Sequence, residues 1–205
     1  VLTWLELPLK TIPRRGYRSD NDEEKQAMND KNQALSEIFK SLGNPEGGPV
    51  SMAHAREAIL IERDDLPEVA LPDGSTLQVL QVDFNNNLWI IRNRFKPGFC
   101  VDTHYHTGAV YAFTEAGEWY YKEYPKLINK AGSYLYEPAH SVHTLTVSPE
   151  ATEDAVVNFL IFGSNVNVDE KGNVVSILDA QAVYGVYKAL CEAEGKNCDA
   201  TIVMD

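Results

Sequence analysis

The stretch Gly98-Phe99-Cys100-Val101-Asp102-Thr103-His104-Tyr105-His106-Thr107-Gly108-Ala109-Val110-Tyr111-Ala112-Phe113-Thr114-Glu115-Ala116-Gly117 decides how this chain is read. Residues two apart on a β-strand face the same side, so a strand over 101–106 turns the rings of His104 and His106 together. Two neutral imidazoles at that spacing bind one divalent ion without distorting the backbone. Taken alone, His-x-His is just as compatible with two ordinary hydrogen-bonded histidines. The balance shifts because His143 follows in another strand segment, behind a Gly and Pro turn, in Gly132-Ser133-Tyr134-Leu135-Tyr136-Glu137-Pro138-Ala139-His140-Ser141-Val142-His143. The three histidines together point to a single divalent-metal site.

Around that site the chain from about 55 to 163 reads as short strands. They fall over 77–84, 88–95, 101–106, 109–114, 118–124, 132–137, 143–147 and 155–162, separated by turns such as Asn85-Asn86-Asn87 and Pro97-Gly98. Strands this dense, with no long helix between them, predict an all-β sandwich or barrel. Periodicity leaves jelly-roll, immunoglobulin-like and other barrels open.

The flanks differ in character. Residues 1–50 form an amino-terminal arm: a basic, proline-containing opening, the charged run Asp20 to Lys31, and a short helix over 34–42 stopped by Gly43, Asn44 and Pro45. The central unit is expected over 51–165. Residues 166–205 are expected to form a polar loop and a terminal helix over 177–193, whose Ile177, Leu178, Ala182, Val183, Val186, Tyr187 and Leu190 recur at helical spacing before Gly195. That helix and the arm carry more apolar surface than a small barrel needs, which predicts a homodimer or homotetramer.

Composition narrows the partners. With 30 Asp and Glu against 18 Lys and Arg the formal charge is -12, which repels nucleic acid and anionic membranes. Arg92, Arg94 and Lys96 read as a solvated strand face rather than an anion site. Cys100, Cys191 and Cys198 lack metal-knuckle spacing and read as reduced thiols. There is no leader-like opening and no run near the roughly 20 apolar residues of a membrane span, so a cytoplasmic protein is expected.

The two quoted segments resemble the paired motifs of the cupin superfamily. Gly98, His104, His106 and Gly117 match the first motif, and Gly132, Pro138 and His143 match the second; His140 stands where a glycine is usual and Val147 where an asparagine is common. The resemblance implies a double-stranded β-helix (jelly-roll) barrel holding a metal on three histidines and often a glutamate. That glutamate would fall at Val110 or Tyr111, neither of which is a carboxylate. Glu123, in phase with Trp119 and Tyr121, is the substitute ligand expected from strand alternation. The run from His104 to Phe113, with Gly117 to Tyr121, Ala131 to Pro138 and His143-Thr144-Leu145, is similar to the 2,4'-dihydroxyacetophenone dioxygenase group of cupins. Those enzymes use non-haem iron and dioxygen to cleave a hydroxyketone, and related cupins cleave β-diketones.

The expected chemistry follows from both warrants. Three neutral ligands on Fe(II) leave open positions where a small ketone and dioxygen bind, although zinc or another divalent metal also accepts this set. His140 and Glu123 are the expected catalytic bases, and Tyr105, Tyr111, Phe113, Trp119, Tyr121, Tyr134 and Tyr136 the expected substrate pocket. The competing readings are a non-enzymatic metal-binding sensing or interaction domain, and isomerase or hydrolase chemistry at zinc or manganese, which generally keeps the missing glutamate.

Overall fold

A computed structural model describes residues 20–42 and 57–205. The chain divides into two units, Val1–Ala58 and Ile59–Asp205. Within the first, one helix, α1, runs over Asp20–Leu42. The charged run expected to precede a short helix is therefore helical itself. Its Glu, Lys, Gln and Ala residues are strong helix formers, and Gln26 donates to Asp30 one turn on at 2.8 Å. The expectations for residues 1–19 and 43–50 lie outside the described residues.

The second unit carries thirteen strands: β1 Val69–Ala70, β2 Thr76–Asp83, β3 Leu88–Phe95, β4 His104–His106, β5 Val110–Ala116, β6 Glu118–Tyr121, β7 Asn129–Lys130, β8 Tyr134–Glu137, β9 Leu145–Thr146, β10 Ala155–Phe162, β11 Asn165–Val168, β12 Val174–Leu178 and β13 Ile202–Met204. A helix, α2, spans Ala180–Ala193. The large sheet has the order β1-β2-β3-β10-β5-β8, with β13 parallel to β2. Two three-stranded sheets, β12-β11-β4 and β7-β6-β9, form the rest.

No sheet closes on itself, which corrects the expectation of an all-β chain closed into a double-stranded β-helix barrel; the fold is mixed α/β. The reason lies in strand length. β4, β6 and β9 are only 3, 4 and 2 residues long, too short for continuous ladders around a perimeter. Single bridges, Cys100 to Thr146 and His104 to His143, stand where a closed wall would need full pairing. β1 and β8 are left as ends of the large sheet's path.

The core is sequence-legible. β3 alternates inward Trp89, Ile91, Asn93 and Phe95 with outward Leu88, Ile90, Arg92 and Arg94. Trp89, Ile91 and Phe95 join Val79, Val110, Trp119, Val157, Phe159 and Ile161 in one buried apolar cluster. Arg92 and Arg94 pair on the outer face with Glu115 at 3.1 Å and Glu68 at 2.7 Å, as a strand face and not an anion site.

The carboxy-terminal part departs from its reading in two respects, one being the strand β13 beside β2. Ile177 and Leu178 belong to β12, which forms a hairpin with β11 where a polar loop was expected. Asp179 then caps α2 by accepting the Ala182 N–H at 2.8 Å. Ala180, Val183, Tyr187 and Cys191 form the buried stripe, and Gly195, in the left-handed region at φ 65°, stands at the expected stop.

Gly117 shows how strictly the first motif is enforced. It turns the chain from β5 into β6 at φ 66°, and a Cβ there would lie 2.4 Å from the Asp154 carbonyl oxygen. Gly117→Ala is expected to cost about 2 kcal/mol or more, from left-handed strain and a clash with backbone. A lower denaturant midpoint at unchanged slope checks it.

Candidate metal centre

On β4 the side chains alternate, with His104 and His106 buried and Tyr105 turned outward. His104 and His143 exchange both backbone hydrogen bonds, His104 N–H to the His143 carbonyl at 3.0 Å and His143 N–H to the His104 carbonyl at 2.9 Å. That reciprocal bridge sets the third ring against the first pair. One nitrogen from each ring lies within 4.8 Å of the others, close to the roughly 4.2 Å that two ligands about 2.1 Å from one ion can span. The turn carrying His143 is tied to β4 by the His140 N–H, which donates to the His106 carbonyl at 2.8 Å. His140 itself sits in the left-handed region at φ 67°, which explains why a glycine suits that place.

Hydrogen bonds aim the rings. His104 Nδ1 lies 2.7 Å from the Asp102 carbonyl. A carbonyl only accepts, so Nδ1 carries the proton and Nε2 is the free ligand atom. His143 Nδ1 lies 3.2 Å from the Ser141 hydroxyl, leaving its Nε2 for the site. Tyr121 stacks on the His143 ring at 4.2 Å between centroids.

The second motif brings a carboxylate beside the three histidines. Glu137, at the end of β8, is 4% exposed. Its Oε2 lies 3.2 Å from His143 Nε2 and 3.8 Å from His106 Nε2, while Oε1 accepts the Tyr121 hydroxyl. At 3.2 Å the Glu137 and His143 atoms are near but misaligned, and both, with His106 Nδ1, are buried without a hydrogen-bond partner. Orphaned polar atoms this deep are costly. A cation between the histidines and Glu137 Oε2 would satisfy Oε2 and His143 Nε2, so the residues fit a divalent metal.

Burial sets the protonation states. It holds His106 and His143 down to about 3, reinforced at His106 by the neighbouring rings of His104 and His143 and at His143 by that of His104, and it lowers His104 as well. These are the neutral imidazoles that a metal requires. The same burial raises Glu137 to about 7, against the opposing pull of the Tyr121 hydrogen bond. In metal-free protein the unfolded chain protonates its histidines below pH 6.5 while the folded rings stay neutral, so stability falls as pH drops from 6.5 toward about 3. Glu137 acts with the opposite sign between about 7 and 4.5, but one carboxyl against two histidines leaves a net loss. Denaturant midpoints of metal-stripped protein across that window, beside imidazole proton shifts by NMR, test this.

The site opens on a cavity of about 230 Å³ lined by His104, His106, Tyr121 and Glu137 and by apolar side chains that include Trp89, Phe95, Phe159 and Leu178. Among the residues lining it there is no Lys or Arg. Of the aromatic residues expected to form the pocket, Tyr121 lines it. Trp119 is fully buried and donates to Thr114 at 2.9 Å. Tyr105 packs 5.9 Å from the exposed His140 ring, while Tyr111, Phe113, Tyr134 and Tyr136 cluster with one another on the outside of the large sheet. Glu123 lies past the end of β6, where a turn from Tyr121 to Tyr124 breaks the alternation. It is exposed, and its Oε2 accepts the Thr144 N–H at 2.9 Å.

Glu137 was within reach of sequence reasoning. With Tyr134 and Tyr136 facing outward, period two turns Leu135 and Glu137 inward. Reading the tyrosines as pocket residues placed the strand the wrong way round.

Solved structures agree on the fold. The chain is similar to a protein of unknown function with a cupin-like fold from Ralstonia eutropha, at 27% identity and TM-score 0.70 over 75% of this chain and 96% of that one. It is similar to an RmlC-like cupin protein of the same organism, at 22% identity and TM-score 0.67 over 73% and 96%. An acetylacetone dioxygenase from Acinetobacter johnsonii matches at 20% identity and TM-score 0.59 over 67% and 95%. No curated protein matches in sequence. Among the described residues no helix is long and apolar enough to cross a membrane. The ChrR cupin-like domain matches over residues 56–162, more than half of the 205 residues, and the chain belongs to that cupin family.

Proposed function

We propose that this protein is a metal-dependent dioxygenase that cleaves the carbon-carbon bond beside the carbonyl of a small uncharged ketone, either an aryl hydroxyketone of the 2,4'-dihydroxyacetophenone kind or a β-diketone. The observation that carries the reading is Glu137 Oε2, buried without a partner, on a carboxylate that lines a cavity together with two of the three clustered histidines. A structural metal site has no use for such a cavity. His104, His106 and His143 would hold the ion, iron(II) in the working enzyme. When bound, that ion would supply Lewis acidity toward the ketone oxygens and a path by which electrons pass from the ketone to dioxygen.

The chain's own residues account for the rest. Apolar walls exclude water and seat the hydrocarbon part of the substrate. A cavity of about 230 Å³ exceeds the roughly 150 Å³ that takes up benzene, leaving room for one ring and a short side chain. With no Lys or Arg in the lining, an anionic substrate would meet no counter-charge. Tyr121 fixes Glu137 through Oε1, and Oε2 is the acceptor for the proton that an enolisable ketone gives up beside its carbonyl. Overall, one aryl hydroxyketone and one dioxygen give one arylcarboxylate and one formate, each as its acid. The chain's likeness in fold to the Acinetobacter johnsonii acetylacetone dioxygenase favours the same class of reaction. A homodimer or homotetramer is part of this reading.

Anaerobic purification, iron loading and oxygen uptake across a panel of ketones test it. Stoichiometric oxygen consumption with carboxylate release is expected. Iron-loaded protein that binds a ketone and consumes no oxygen would transfer the site to a metal-binding sensing or interaction domain.

A further inference from the structure

Of the buried atoms without a hydrogen-bond partner at the site, a cation accounts for Glu137 Oε2 and His143 Nε2 and leaves His106 Nδ1. The other two rings have their outer nitrogens engaged, His104 Nδ1 with the Asp102 carbonyl at 2.7 Å and His143 Nδ1 with the Ser141 hydroxyl at 3.2 Å. His106 turns its Nε2 toward the Glu137 carboxylate, at 3.8 Å. With Nε2 given to an ion, the ring's one proton stands on Nδ1, and a buried N–H needs an acceptor.

The register of β4 against β11 supplies one. Asn165 stands opposite His106, and Asn167 opposite His104. Backbone hydrogen bonds run from the Thr107 N–H to the Ser164 carbonyl and from the Val168 N–H to the Thr103 carbonyl, both at 2.9 Å. Antiparallel pairs alternate, so His106 and Asn165 form a non-hydrogen-bonded pair, the kind in which Cα atoms stand only about 4.5 Å apart and side chains lie closest. Residues directly opposite share a face, and both of these line the cavity.

Asn165 is 8% exposed, and its carboxamide is half used. Its Nδ2 donates to Asn167 Oδ1 at 2.9 Å, and Asn167 Nδ2 donates in turn to the Ser176 hydroxyl on β12 at 2.8 Å. That relay engages the amide nitrogen and leaves Asn165 Oδ1 without a partner among the described residues. A buried acceptor with nothing to accept thus sits beside a buried donor with nothing to receive it. Asn167 cannot serve instead, because its Oδ1 already holds Asn165. We propose that Asn165 is a positioning residue of the metal centre, its Oδ1 accepting the Nδ1–H of His106 while Nε2 holds the ion. A turn of the carboxamide about its side-chain bonds closes the contact. His106 is thereby fixed in the tautomer that a metal needs, and through Asn167 and Ser176 the ring is tied to the β11–β12 hairpin. The assignment rests on the metal site described above and not on the chemistry of dioxygen.

Zinc is therefore the probe, and oxygen uptake plays no part in the test. In zinc-loaded protein carrying isotope-labelled histidine, the His106 Nδ1 proton should exchange slowly with water and show a nuclear Overhauser contact to the Cβ protons of Asn165. Asn165→Leu keeps the bulk and removes the acceptor; it is expected to weaken zinc binding about 10–100-fold and to release that proton to fast exchange. Asn165→Asp, which keeps an acceptor oxygen, should restore both, whereas a role in packing alone would be met by leucine. Equal zinc affinity in wild type and Asn165→Leu, a loss that Asn165→Asp fails to restore, or a fast-exchanging His106 Nδ1 proton in the wild type would overturn the assignment and leave the three-histidine site standing. Wild-type protein that binds no zinc would overturn the site itself and this assignment with it.

Discussion

His104→Ala is expected to abolish both metal retention and turnover. The ring contributes Nε2 to a set of three nitrogens already confined within 4.8 Å, and its Nδ1 is committed to the Asp102 carbonyl. No neighbouring side chain replaces it: Glu123 is held by the Thr144 N–H, and Glu137 already faces the other two rings. Loss of an outer hydrogen-bond partner costs metal affinity roughly 10–100-fold; loss of a ligand should exceed that. Metal per chain after gel filtration and oxygen uptake should both drop to background. His140→Gly is the control. It removes a side chain from a left-handed position outside the cavity lining, so iron should be retained and stability should rise by about 1 kcal/mol. A His104→Ala protein that keeps stoichiometric iron would displace this residue from the site.

Glu137→Gln separates holding the metal from using it. The substitution preserves shape and removes the charge. If Glu137 accepts the substrate's proton, the turnover number should fall by about 10²–10⁴, the usual contribution of a positioned general base. Iron content should change far less than in His104→Ala, because the three imidazoles remain. Stability should hold or improve, since a buried carboxylate costs more than a buried amide. Tyr121→Phe, which leaves the charge but frees Oε1 of its donor, should produce a smaller loss in the same direction. Unchanged turnover in Glu137→Gln would remove the proton-acceptor role while leaving the metal site untouched.

Local rules determined a good part of this protein from sequence alone. Short runs rich in apolar, β-branched and aromatic residues and bounded by turn signals mark 88–95 and 155–162 as strands with the bounds of β3 and β10. His-x-His on a strand turns both rings to one side, whatever the rest of the chain does. The cupin motifs, with Gly98, Gly117 and Gly132 at positive φ, mark turns that a side chain strains.

What only the tertiary structure decided depends on contacts between distant segments. The alternation on β8 is equally regular with Tyr134 and Tyr136 inside or outside; pairing with β5, whose Tyr111 and Phe113 also face out, fixes the phase and turns Glu137 inward. Glu123 lies away from the cavity lining because a turn after Tyr121 ended β6 three residues earlier than its pattern suggested. The barrel did not close because closure depends on pairing along the whole perimeter, and the strands beside the histidines meet the rest through isolated bridges. Side-chain periodicity is local physics and is written in the chain; which face becomes the inside is set when segments far apart in sequence bury their apolar sides against each other.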